Sequence, residues 1–387
     1  MFLLGLLLCS AAFGVRIDPA VKESFLAICA SLNYTVAEHF VTTSDGYILR
    51  VFRVGGKNVA GFNSGPPVYL QHGLIDSSDN FFVNAEALAP GFIVANQGYD
   101  VWLGNSRGNK YSRNHTTLNP NTDAAFWDFS WQEMAEIDLP ATVDFILAQT
   151  GKPQLAYIGH SQGTTIMMTK MSEDPAFSSK ISVAALLAPV ASVSNQTSSL
   201  LTLASKANIP LILSDLKINE VMTSPDNFMV AYLCYYAEVV CSEMLFLLAD
   251  ANTTVDNTAR MDVIMSHYPA GTSSRDVDHW VQMAEMKHAT LQKYNFGSPA
   301  ANQAVYGTAS PPTINLTQVS GKVALFAGLY DRLANPKDVA WLMTQLPTQN
   351  VVWFKGDYPC GHGTFMWAKD MSYFDDVLAV IADSFDS

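Results

Sequence analysis

The sequence predicts an α/β fold, a mostly parallel central sheet flanked by helices with a helical cap domain inserted late in the chain. Three observations predict it. Short apolar runs alternate with stretches of helical spacing, a Gly-x-Ser-x-Gly turn joins one such run to one such stretch, and an interval of different texture, from about Ala191 to Pro312, interrupts the series. Strands separated by helices pair in parallel through right-handed crossovers.

In chain order, Met1 to Gly14 is an apolar run ending in small residues, with Ala12 and Gly14 suited to signal peptidase. A signal peptide over 1–14 is therefore expected, too short to span a bilayer. The first part of the core is expected over 15–190. It opens with Glu38 to Phe52, an alternating segment that turns at Asp45-Gly46 as a β-hairpin. Strand runs follow at Val68–Gln71, Tyr99–Leu103, Leu155–Ile158 and Val183–Leu187. Met134, Ile137, Val143 and Ile146 give Trp131–Gln149 one helical face. The interval 191–312 is rich in Leu, Met, Tyr and Phe, shows helical spacing without a clear strand run, and is read as a cap over the active site. Within it, Phe228 to Ala249 is apolar but carries Glu238 and Glu243. A charge at a bilayer centre costs roughly 2.5 kcal/mol or more, so no membrane span is expected there. The core resumes over 313–387 with the runs Val323–Ala327 and Val351–Phe354.

Composition narrows the function. A formal net charge of −13 with few Lys and Arg excludes nucleic acid as the expected partner. Five Asn-x-Ser/Thr sequons, at Asn33, Asn114, Asn195, Asn252 and Asn315, support passage through the secretory pathway and are candidate N-glycosylation sites. Beyond the leader the cysteines are Cys29, Cys234, Cys241 and Cys360, an even number that permits disulfides. Only Cys234 and Cys241 are close in sequence, which makes them the candidate pair. Metal-site spacings such as Cys-x-x-Cys or His-Glu-x-x-His do not occur, so no metal or other cofactor is expected.

Gly159-His160-Ser161-Gln162-Gly163 follows a strand run and precedes the helical Thr164–Met168. This is the strand–turn–helix setting of a nucleophile elbow, the mark of the α/β-hydrolase fold. Its glycines allow a turn so sharp that the serine hydroxyl stands at the tip of the sheet. A serine hydroxyl is a weak nucleophile until a base takes its proton. In this fold the order is nucleophile, acid, histidine. Of the eight histidines, His39, His72, His115 and His160 precede or adjoin Ser161, and His267, His279 and His288 fall in the cap interval. His362 alone follows the last strand run and is the expected base. Asp331 ends the stretch Ala324–Tyr330 just past the preceding strand and is the expected orienting acid, with Asp357 as its rival. Two backbone amides are needed for an oxyanion hole: Gln162, directly after the nucleophile, and Leu74, after the His72-Gly73 turn.

The residues then extend into a resemblance. Leu70-Gln-His-Gly-Leu74, Gly98 to Asn109, Met134 to Thr142, Gly159 to Thr165, Leu187 to Ala191, Ser266 to Ser273 and Tyr294 to Pro299 together resemble the acid lipase family, the group of gastric and lysosomal acid lipases. The resemblance covers essentially the whole mature chain. It implies hydrolysis of neutral-lipid esters, a mobile cap and tolerance of acid. Two departures stand out. Relatives carry an Asp two residues after the catalytic histidine, where this chain has Thr364, which bears on the local loop geometry. Relatives also hold a cap disulfide whose second cysteine falls at Asp250 here, so any bridge from Cys241 must be rearranged, to Cys234.

The expectation is a serine carboxylic-ester hydrolase, a lipase, acting through an acyl-enzyme on Ser161. Its expected partner is a neutral-lipid ester, triacylglycerol or sterol ester, at a lipid–water interface. It is expected to act as a monomer, either secreted or lysosomal. Two alternatives stay open: an esterase of small soluble esters, and a non-catalytic lipid-binding protein that has kept the fold.

Overall fold

The computed structural model describes residues 18–223 and 249–386. The expected signal peptide, the Cys234–Cys241 pair and most of the Phe228–Ala249 stretch lie outside the described residues. Eight strands form the main path of one sheet: β1 (Tyr34–Thr42), β2 (Tyr47–Lys57), β3 (Pro67–Gln71), β4 (Asp100–Leu103), β5 (Leu155–His160), β6 (Ile181–Leu187), β7 (Val323–Gly328) and β8 (Val351–Tyr358). Their spatial order is β1-β2-β4-β3-β5-β6-β7-β8, and the two-residue strand Asn114–His115 pairs with β2. The β1–β2 hairpin is antiparallel, as is the β2–β4 pair, and every pair from β4 onward is parallel. In register, Tyr69 of β3 lies between Trp102 of β4 and Tyr157 of β5.

Strands β3 to β7 are buried along their whole length. That is why their sequences read as continuous apolar runs rather than alternating ones. Edge strand β8 instead leaves Val352, Phe354, Lys355 and Asp357 exposed, and charged residues on an edge discourage pairing with other chains. Among the helices covering the sheet, α1 (Phe25–Ser31) contacts β1, α2 (Pro90–Asn96) contacts β2 and β4, and α3 (Leu139–Thr150) contacts β1 and β3. Helix α4 (Gln162–Glu173) leads directly out of β5 and contacts β5 and β6.

The helical spacing of Trp131–Gln149 predicts one continuous helix, and the structure differs. A short α-turn, Trp131–Glu133, widens into a π-helical turn over Met134–Asp138 before α3 begins. Pro140, at the start of α3, has no N–H to give to the preceding turn. The widened turn carries Asp138, which binds the buried guanidinium of Arg107.

Over 191–312 the chain forms α5 (Ser199–Lys206), α6 (Ile209–Asp215), α7 (Met261–His267), α8 (Ser274–Ala284) and α9 (Pro299–Tyr306). A small antiparallel pair, Glu220–Val221 with Thr272–Ser273, and isolated bridges at Asp250, Asp256 and Gln292 depart from an all-helical interval. Two residues are too few to show an alternating pattern in sequence. Met261, Val263, Ile264, Met265, Trp280 and Met283 join the same apolar core as the sheet residues. After the interval, α10 (Pro336–Gln345) connects β7 to β8 and α11 (Tyr373–Asp386) packs on β6 and β8.

Candidate active site

The loops that follow β3, β5, β7 and β8 leave the same, C-terminal edge of the parallel strands, where open α/β sheets place their ligands. Ser161 follows β5 with φ 55° and ψ −121°, a backbone conformation that L-residues rarely adopt. Its amide donates to Leu187 O of β6 (3.1 Å). Its carbonyl accepts from both the amide and the hydroxyl of Thr164, at 2.8 and 2.6 Å. The glycines around it are sterically required. A Cβ on Gly163 would lie 2.6 Å from Gln71 O, and one on Gly159 would lie 3.0 Å from Gly163 C.

His362 Nε2 lies 2.6 Å from Ser161 Oγ, and His362 Nδ1 lies 2.9 and 3.1 Å from the two oxygens of Asp331. Asp331 is buried, and its Oδ1 also accepts from the amides of Leu333 (2.8 Å) and Ala334 (2.7 Å). The rival Asp357 lies exposed on β8 and makes no contact with His362 among the described hydrogen bonds. Geometry thus brings Ser161, His362 and Asp331 together and leaves Asp357 out.

The His72-Gly73-Leu74 turn presses against the serine. A Cβ on Gly73 would sit 2.9 Å from Ser161 Cβ, so only glycine lets the two loops meet. The ring of His72 accepts at Nε2 from the amide of Ser106 (3.0 Å), which fixes the proton on Nδ1, 2.8 Å from Gly73 O. Burial holds this imidazole neutral, its pKa lowered to about 4. In a trans peptide the carbonyl and the next N–H point in opposite directions. With Gly73 O drawn toward His72, the Leu74 N–H points the other way. Gln162 is the first residue of α4, so its amide has no acceptor within that helix.

Three kinds of comparison bear on this arrangement. A family model described as the alpha/beta hydrolase fold matches residues 66–369, and one described as a partial alpha/beta-hydrolase lipase region matches residues 25–85. Mouse gastric triacylglycerol lipase is 39% identical over 376 residues, spanning 95% of this chain and 93% of the relative. The chain belongs to the acid lipase family of α/β-hydrolases. Human lysosomal acid lipase/cholesteryl ester hydrolase is 37% identical over 362 residues, spanning 92% of this chain and 89% of the relative. Among solved structures, a soluble variant of the monoglyceride lipase of Saccharomyces cerevisiae superposes with a TM-score of 0.56, at 15% identity, covering 90% of this chain and 96% of the other. That likeness concerns the fold alone.

In this acid lipase family member, sequence reasoning missed the residues that brace the site. His160 Nε2 donates to the carbonyl of His362 (2.8 Å), joining the elbow to the histidine loop, and burial lowers its pKa to about 3. The side chain of Gln162 is held from the 191–312 interval. Trp280 Nε1 donates to its Oε1 (2.6 Å), and its Nε2 donates to Asp276 (3.2 Å). Ala270, also in that interval, donates to Ile75 O beside the Leu74 turn (2.7 Å). No local pattern marks these partners, because each pair is more than a hundred residues apart. Of the sequons, Asn33, Asn114, Asn195 and Asn315 are exposed and Asn252 is half-buried, while the Asn195 amide also binds Asp338 (2.8 Å). Cys29 and Cys360 are buried free thiols.

Proposed function

We propose that the protein is a carboxylic-ester hydrolase, a lipase for neutral-lipid esters, with Ser161 as nucleophile, His362 as general base and acid, and Asp331 as orienting carboxylate. The Ser161–His362–Asp331 hydrogen-bond chain is the single observation that carries this reading. Nδ1–H donates to Asp331, leaving the Nε2 lone pair to take the hydroxyl proton as Oγ attacks the ester carbon. The tetrahedral oxygen is then held by the amides of Leu74 and Gln162, and collapse expels the alcohol, which takes its proton from His362. Water, activated by the same imidazole, attacks the acyl-enzyme and frees the fatty acid.

The interval 191–312 serves as a cap that excludes water and offers an apolar lining for acyl chains. Its substrate is met at a lipid–water interface by a single chain. The names of the relatives, gastric triacylglycerol lipase and lysosomal acid lipase/cholesteryl ester hydrolase, support lipid substrates and a secretory route, secreted or lysosomal. Among the described residues no helix is long and apolar enough to cross a membrane. The test is hydrolysis of triolein, cholesteryl oleate and p-nitrophenyl acetate from acid to neutral pH. Turnover of at least one long-chain ester well above that of the acetate supports a lipase. Turnover of the acetate alone would make it a small-ester esterase, and no turnover of any would make it a lipid-binding protein.

A further inference from the structure

Two side chains, Asp250 and Thr364, lie behind His362 and hold the backbone on either side of it. Asp250 is fully buried where the 191–312 interval passes beneath the acid loop. Its strand-like backbone bridges Asp331: Arg332 donates to Ala249 O (2.9 Å) and Ala251 donates to Tyr330 O (2.7 Å). Its side chain turns the other way, and Oδ1 accepts from the amide of Gly363 (3.1 Å). Thr364 holds the other flank. Its hydroxyl oxygen accepts from the amide of Gly361 (2.9 Å) and its proton goes to Asp256 Oδ1 (2.6 Å). The amides on either side of His362 are therefore both fixed by these side chains. Gly361 is fitted to its neighbour, because a Cβ there would lie 2.3 Å from Asp250 Oδ1.

We propose that Asp250 and the Thr364–Asp256 pair are positioning residues for His362, fixing from behind the loop that aims its imidazole at Ser161. The inference rests on the serine-hydrolase reading above. A buried amide N–H needs an acceptor, and the two here have no other among the described residues. A carboxyl at position 250 is electrostatically awkward unless it is neutral. Burial, with Asp256 and Asp331 beside it, pushes the Asp250 carboxyl well above the ordinary range, and burial pushes Asp256 up to about 7. A neutral carboxyl accepts from Gly363 much as an amide oxygen does. Asparagine therefore substitutes for aspartate in this role, and alanine does not.

The experiment measures kcat and KM on p-nitrophenyl butyrate, with melting temperatures, for wild type, Asp250→Asn, Asp250→Ala and Thr364→Val. Wild type is also treated with a fluorophosphonate. A small displacement of a catalytic group costs on the order of 10- to 100-fold in rate. Asp250→Ala is expected to lose kcat on the order of 10-fold or more with KM nearly unchanged, Thr364→Val to lose kcat in the same direction, and Asp250→Asn to stay close to wild type. Should Asp250→Ala fail to fold, Asp250→Asn and the near-isosteric Thr364→Val carry the test. Wild-type kcat in folded Asp250→Ala or in Thr364→Val would overturn the proposal, as would equal losses in folded Asp250→Asn and Asp250→Ala. Failure of the fluorophosphonate to label wild type would instead overturn the serine reading, and this inference with it.

Discussion

Ser161 is held at a positive φ of 55° that costs on the order of 1–3 kcal/mol, and its neighbours over-determine it. Leu187 O, Thr164 and the glycines at 159 and 163 leave the backbone no other course. At the same scale, Asp331 and Asp357 make opposite predictions. Asp331→Asn replaces an oxygen that accepts from His362 by a group that can donate, so the imidazole loses its orientation and its charge partner. A rate loss on the order of 10⁴ is expected. Asp357→Asn, exposed on β8, is expected to leave the rate within about twofold, as surface changes away from a site do. Steady-state kinetics on p-nitrophenyl butyrate checks both, and a reversal would move the acid to Asp357. Arg107 is a structural counterpart. Its guanidinium, 1% exposed, binds Asp138 (2.5 Å) and Asp45 (2.7 Å), tying the hairpin turn to the π-helical turn. Arg107→Ala leaves Asp138 buried without its cation and is expected to cost roughly 3–5 kcal/mol of stability, read by urea denaturation. A loss below about 1 kcal/mol would mean that water replaces the guanidinium.

At the level of elements, three separate parts of the site are braced by one stretch of chain, residues 250–280: Ala270 against the Leu74 turn, Trp280 and Asp276 against Gln162, and Asp250 against the histidine loop. That stretch is thus tied to the site as well as lying beside it. Trp280→Phe keeps an aromatic ring, smaller than the indole, and removes the N–H given to Gln162. A several-fold fall in kcat is expected in the folded variant, together with a lowered melting temperature from the space the buried indole leaves, and a change in KM alone would show that Trp280 only lines the substrate path. The same contacts mark where the sequence stops being informative. The strand runs and the elbow are legible because burial on both faces and the need for glycine at 159 and 163 act locally. His362 and Asp331 are legible because topology fixes their order after Ser161. Asp250, Asp276 and Trp280 are not, since their partners are distant in sequence and no periodicity connects them. Pro140 stands in plain view, yet the apolar spacing of Met134, Ile137, Val143 and Ile146 masks the π-helical turn that precedes it.

For the whole molecule, buried titratable groups of opposite kinds offset one another. Burial raises Asp76, Asp256 and Asp276 to about 7, so their contribution to stability is full below the ordinary carboxylate value of 3.8 and is lost as pH rises through 7. Burial lowers His72 to about 4 and His160 and His279 to about 3, so their contribution is full above 6.5 and is lost as pH falls toward those values. Between about pH 4 and 6.5 the two trends oppose each other, and above that range only the carboxyls still change. The melting temperature is expected to vary little from about pH 4.5 to 6 and to fall by pH 8; a steady rise from pH 4.5 to 8 would contradict this balance. The fold gathers the ends of β5, β7 and β8 around Ser161, which we propose becomes the nucleophile there. Intact-mass and peptide analysis after fluorophosphonate treatment, in wild type and in folded Ser161→Ala, tests this. One adduct is expected, on Ser161, with none on the variant and ester turnover reduced by on the order of 10⁴-fold or more. An adduct on another residue, or near-normal turnover by Ser161→Ala, would contradict it.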